Sequence, residues 1–123
     1  MKTIPAVVLA AVLGLGAFSA FADEAKLKTV AALYQEKTAL AGQLVRVQGK
    51  VVKANNNIMG RNFLHIQDGT GGTGSNDLTV TSKQTAKVGD QVTVTGRVAV
   101  DKNFGSGYAY PLLVEEARID ARK

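Results

Sequence analysis

The side chains able to stack, bond or ligate gather in a few short stretches. Phe63-Leu64-His65-Ile66-Gln67 alternates in type, so in a strand Leu64 and Ile66 share one face and Phe63, His65 and Gln67 the other. Thr79 and Thr81 of the segment Leu78-Thr79-Val80-Thr81 would lie beside that second face, and Arg46, Gln48 and Lys50 point outward from an earlier strand. Arg61 stands just ahead of Phe63, and Tyr108 and Tyr110 follow a glycine-rich loop that also carries Phe104. Rings beside basic groups hold single-stranded nucleic acid or sugars by stacking and charge. The plainer reading is a solvated sheet face, with Phe63 covered by an N-terminal helix and the tyrosines packed over a barrel mouth.

Metal and covalent chemistry find less. The only histidine, His65, and Met59 are the nearest candidates for a soft-metal site, and one sulfur with one imidazole is too small a donor set for a tight one. No metal site and no cofactor are therefore expected. The chain has no cysteine, which excludes a thiolate nucleophile, a disulfide, a cysteine lipid anchor and covalent haem attachment. Glu115 and Glu116 are neighbours in a strand and point to opposite faces, so they cannot act as a pair. The loop Gly69–Gly74 lacks the Lys-Ser/Thr ending of a phosphate-binding loop and precedes a strand, so it reads as a hairpin connection, with Asp68 capping its start and Asp90 capping the later Val88-Gly89 turn. No catalytic residues are expected, and the chain reads as a non-enzyme.

Several elements must position these groups. Leu27, Val30, Leu33, Tyr34 and Leu40 recur at near-helical spacing, predicting a helix over 26–40 that stops at Gly42. From Leu44 the period becomes two. Val45–Val51, Phe63–Gln67, Leu78–Thr81 and Val92–Val100 read as strands, and Tyr110–Glu115 begins a fifth. Val45-x-Val47-x-Gly49-x-Val51 matches Val92-x-Val94-x-Gly96-x-Val98, with each glycine on the inward phase. A mid-strand glycine permits the sharp bend of a barrel corner, so the first and fourth strands are expected to pair in a closed barrel.

The chain of 123 residues carries a net charge of +5, scattered rather than clustered. Such a balance favours anionic partners without specifying one. Lys2, the apolar run Ile4–Leu15 and the Ala20-Phe21-Ala22 ending form the pattern of a secretory signal peptide, with cleavage expected between Ala22 and Asp23. The apolar run is short for a membrane anchor. The mature chain would be periplasmic or secreted, with no membrane anchor.

Leu44–Lys53 (LVRVQGKVVK), Ile58–Gly71 (IMGRNFLHIQDGTG), Asp77–Thr81 (DLTVT), Lys87–Gly96 (KVGDQVTVTG) and Phe104–Ala117 together resemble a family of exported bacterial OB-fold proteins. Some of its members are described as NrfJ-related and others as OB-fold nucleic-acid-binding proteins. The resemblance implies an all-β chain with one N-terminal helix, folded as a five-stranded OB-fold Greek-key barrel. Residues 1–22 would be the signal peptide, 23–43 the docking helix and 44–123 the barrel. The residues read above make this a periplasmic binding module of unknown ligand, whose expected site is the face of the second and third strands and the adjoining loops: Arg61, Phe63, His65, Thr79, Tyr108 and Tyr110, with Arg46 and Lys50 in electrostatic support. This reading leaves open an accessory role in respiratory or extracellular electron transfer, binding of single-stranded nucleic acid (which export disfavours), a protein-interaction subunit of an exported complex or filament, and weak copper or zinc binding.

Overall fold

A computed structural model of the chain describes residues 25–105 and 107–122, so the expected leader 1–22 and its cleavage site lie outside the described residues. The elements are β1 (Lys26–Leu27), α1 (Val30–Gln35), α2 (Lys37–Leu40), β2 (Leu44–Ile58), β3 (Arg61–Gln67), β4 (Leu78–Ser82), β5 (Gln91–Asn103) and β6 (Ala109–Ala121).

The strands form one sheet that closes on itself. β2 pairs antiparallel with β3 and with β5, β3 pairs antiparallel with β4, β4 runs parallel to β6, and β6 returns antiparallel to β5. Five strands thus make a ring. The sixth, β1, lies parallel to β2 outside the ring, through Lys26 opposite Val45 and Leu27 opposite Arg46. The expected count of five is corrected to six by this two-residue strand, which occupies the start of the expected helix.

The ring closes where the glycines allow it. Val45 faces Gly96 and Gly49 faces Val92, so the two matching segments pair. A Cβ on Gly49 would stand 2.6 Å from Ile66 Cγ2 and 2.8 Å from the Gln67 carbonyl oxygen, and one on Gly96 would stand 2.7 Å from the Glu115 carbonyl oxygen. β2 changes neighbours at this point, with Leu44–Lys50 against β5 and Lys50–Ile58 against β3. A side chain at Gly49 would push apart the two strands that the bend brings together.

The helix expected over 26–40 is divided into β1 and two short helices. The Thr29 hydroxyl accepts the Ala32 amide at 3.0 Å and so starts α1, while Glu36, with φ −109° and ψ 14°, separates α1 from α2. Val30, Leu33 and Leu40 join the same buried cluster as Val47, Leu64, Ile66, Val94 and Val114, so these short helices complete the barrel's interior. Burying an amphipathic face in this way stabilises helices too short to persist alone. Among the described residues no helix is long and apolar enough to cross a membrane.

Candidate ligand-binding face

β5 and β6 run past the ring as a hairpin, with Lys102 opposite Tyr110 and Asn103 opposite Ala109. Its tip is held by the Phe104 amide donating to the Tyr108 carbonyl at 2.7 Å and the Tyr108 amide to the Gly105 carbonyl at 2.9 Å. Gly105 and Gly107 both sit at φ +85°, which a side chain would oppose. This turn delivers three rings onto Phe63. The Phe63 centroid lies 5.4 Å from Phe104 at 79°, 5.9 Å from Tyr108 and 5.9 Å from Tyr110. Edge-to-face and tilted pairs at such distances are favourable.

Phe63 is therefore 1% exposed, although its neighbours Leu64 and Ile66 take the inward phase. Phe63 is corrected as a ligand contact: the covered reading of this ring holds, and the rings packed on it come from the hairpin, where the helix was the expected cover. Thr79, opposite His65, is corrected likewise at 6% exposed, as is Thr81 opposite Phe63 at 1%. What remains accessible is the other side of the roof. Phe104, Tyr108 and Tyr110 are each half-buried. Burial, and then the neighbouring Tyr108, raise the Tyr110 phenol above its ordinary value and keep it neutral.

Two cations complete this face. The Arg61 guanidinium lies 5.1 Å from the Phe104 centroid, and the Lys102 ammonium lies 5.7 Å from the same ring while pairing with Glu115 at 3.3 Å. Arg61, Phe63, Tyr108 and Tyr110 are thus brought together. Lys50 and Arg46 are not. Phe63 stands opposite Asn55, whereas Lys50 stands opposite Gln67 and Arg46 opposite Thr95. At roughly 3.3 Å per residue, Lys50 is about 16 Å back along β2 from Asn55.

His65 belongs to a separate polar cluster. Its Nδ1 stands 2.8 Å from Asp77 Oδ1, and because a carboxylate only accepts, that nitrogen carries the proton. Gln67 Nε2 donates to Asp77 Oδ2 at 3.3 Å, and the Tyr34 hydroxyl donates to the Asp77 carbonyl at 2.5 Å. Burial, and then the Asp77 charge, raise the Tyr34 phenol above its ordinary value. A carboxylate orienting an imidazole is two-thirds of a hydrolytic triad, but among the described residues no hydroxyl bonds to His65. Met59 sits 44% exposed in the β2–β3 turn, beyond the Ile58–Arg61 pair, while His65 pairs with Lys53 further back along the hairpin. Among the described residues no three His, Cys, Asp or Glu side chains converge on a metal position.

Asp68 does more than the turn cap expected of it. Its Oδ1 accepts the Thr70 amide at 3.0 Å, its Oδ2 accepts the Val30 amide at 2.9 Å, and the Thr70 hydroxyl accepts the Ala31 amide at 3.0 Å. The glycine-rich loop is thereby clipped to the start of α1. Burial pushes the Asp68 carboxyl up, but hydrogen bonds from the Thr70 hydroxyl and from the Val30 and Thr70 amides outweigh it and hold the group below its ordinary value.

Sequence reasoning passed over Phe104, Lys102 and Asp77 as site residues. Phe104 was visible as an aromatic flanking a glycine loop. Lys102 and Asp77 carried no signal, because their partners lie in distant segments.

A closed ring in the order β2-β3-β4-β6-β5, with an aromatic hairpin laid against β3, defines an OB-fold-like β-barrel. Solved structures agree. The chain is similar to a putative aspartyl-tRNA synthetase from Leishmania major Friedlin, with TM-score 0.57 and 13% identity over 79% of this chain. The match covers 20% of that synthetase, so the chain spans about a fifth of its length. It is also similar to an OBody, AM3L09, bound to hen egg-white lysozyme, with TM-score 0.50 and 15% identity over 68% of this chain and 84% of that one. No protein-family model matches the sequence, and no curated protein matches it significantly.

Proposed function

We propose that the chain is a non-catalytic binding module, exported to the periplasm and folded as a five-stranded OB-fold Greek-key barrel with β1 as an added edge. Its recognition surface is the outer side of the β5–β6 hairpin, formed by Phe104, Tyr108 and Tyr110 with Arg61 and Lys102. The observation that carries this reading is the buried Phe63. It braces three rings that stay half-exposed, and rings held in place before a ligand arrives lose little entropy when one binds. Two cations against Phe104 suit a ligand that is flat and anionic, or a protein surface of like chemistry. A barrel used for recognition also agrees with the similar OBody, which is bound to hen egg-white lysozyme. The resemblance to exported NrfJ-related proteins supports the periplasmic location and leaves an accessory role in electron transfer as a narrower version of the same proposal.

The test is native mass spectrometry of protein purified from an exporting host, alongside a Phe104→Ala, Tyr108→Ala double variant whose fold is checked by circular dichroism. The wild type should carry a bound molecule or partner that the folded double variant has lost. Retention of the same species by both would place binding elsewhere.

A further inference from the structure

β6 has two edges. One pairs with β5 from Ala109 to Ala121, while the other meets β4 only at Leu113 and Val114. Thr95 pairs with Arg118 and Arg97 with Glu115, so Gly96 faces both Glu116 and Ala117, and Glu116 takes φ +49°. Such a bulge bends the strand that carries the extra residue. From Ala117 onward the second edge is met by side chains, and by no strand among the described residues. Ser82 Oγ donates to the Ala117 carbonyl at 2.6 Å. The Gln84 amide meets Ile119 twice: Oε1 accepts its N–H at 2.8 Å and Nε2 donates to its carbonyl at 3.5 Å. Those are the two bonds that a facing residue exchanges in a hydrogen-bonded antiparallel pair. A side-chain amide thus stands where a strand residue would stand. Gln84 is exposed, so its side chain can turn into water and free the edge. A free strand edge is a template for another chain.

The charges along this edge identify that chain. The run Glu116-Ala117-Arg118-Ile119-Asp120-Ala121-Arg122 inverts its charges about Ile119. Laid antiparallel on a copy of itself, with Ile119 facing Ile119, it sets Arg118 opposite Asp120, Ala117 opposite Ala121 and Glu116 opposite Arg122. A slip of two residues one way sets Arg118 opposite Arg118 and Glu116 opposite Asp120. A slip the other way sets Asp120 opposite Asp120 and Arg118 opposite Arg122. Opposite charges facing across strands stabilise a sheet and like charges destabilise it. One register is therefore favoured, and it centres on the residue that Gln84 covers. All four charged residues are exposed. Arg118 and Asp120 already pair within the chain at 3.0 Å, and the second copy would merge two such pairs into one cluster of four charges.

We infer that the protein forms an antiparallel dimer through the outer edge of β6, which continues the sheet of one barrel into that of a second copy. Gln84 caps this edge in the single chain and yields it on pairing. The dimer goes beyond the hairpin reading and does not use the hairpin rings, which meet β6 at its other end. Arg61 and Lys83 line the groove of about 550 Å³ beside Glu116, so Arg122 of the second copy would enter among like charges there. The electrostatic gain therefore lies with Arg118 and Asp120.

The experiment is sedimentation equilibrium of the purified protein over a range of concentrations, with Arg118→Asp and Asp120→Arg as variants. Thermal melts would verify that each folds. The wild type should dimerise with a Kd below about 1 mM. Each single variant should dimerise about tenfold more weakly, because both cross-strand pairs become like-charged. An equimolar mixture of the two variants should regain association, since an acidic edge then faces a basic one. Gln84→Ala, which uncovers Ile119, should tighten self-association of the wild-type edge. A wild type that stays monomeric to about 1 mM would overturn the inference, and so would a mixture that associates no better than its components. If dimers form, survive both charge reversals and are dissolved by Tyr108→Ala, the rings join the copies and the β6 edge does not. If the edge dimer forms while the rings retain no ligand or partner, the hairpin reading alone is lost.

Discussion

Phe63→Ala is expected to cost about 3–4 kcal/mol of stability, the range for truncating a buried aromatic. Chemical denaturation would measure it. Tyr108→Ala, at a half-exposed ring, should cost roughly 1 kcal/mol and act mainly on binding. A Phe63 variant of wild-type stability would mean that the ring stands in solvent. The burial of Phe63 was not legible in its strand. Alternation correctly separated it from Leu64 and Ile66, but a period of two assigns a face and is silent about what covers that face. The covering rings begin at Phe104, about forty residues later in the chain, and no local pattern joins the two. Thr95 offers an opposite case. Its hydroxyl is buried with no hydrogen-bond partner. Thr95→Val keeps the shape and removes that unmet group, so it should raise stability by about 1 kcal/mol, read as a higher Tm in calorimetry.

At the scale of elements, the loop between β3 and β4 and the short helix α1 stand or fall together through Asp68. The Asp68 carboxyl is held below its ordinary value in the fold. Its stabilisation is therefore in place above the unfolded value of about 3.9 and is lost as pH falls through the lower folded value. Asp68→Ala should lower stability at neutral pH by about 1 kcal/mol, as loss of a helix cap does, and should flatten the acid limb of stability below about pH 4. Equilibrium unfolding across pH would show both effects, and an unchanged acid limb would remove Asp68 from this role. The strands were largely readable because Val/Thr alternation and glycine turns are local signals. The helix was read too long. Leu27 fits the helical spacing, yet its backbone pairs with Arg46 in the sheet and its side chain is exposed. A tertiary pairing overrode the pattern there, and Glu36 interrupted it again.

At the scale of the whole molecule, closure depends on two positions without side chains. Gly49→Ala places a methyl 2.6 Å from Ile66 Cγ2 and against the β3 backbone, so one strand must move. The expected loss is about 2 kcal/mol, seen as a lower denaturation midpoint. Gly42→Ala meets nothing within 4 Å and is opposed only by its φ of +81°, so it makes a milder comparison. The repeated Val-x-Val-x-Gly-x-Val pattern made this closure readable, because it marks where two strands bend and pair. The candidate face was less readable, because it arises from the hairpin folding back on the barrel.

That fold-back is most directly tested by aromatic NOEs in the free protein. The Phe63 ring protons should show contacts to the rings of Phe104, Tyr108 and Tyr110 and should be shielded from a soluble paramagnetic probe that broadens Tyr108. A Phe63 ring with no contact to the hairpin, broadened as strongly as Tyr108, would contradict the account.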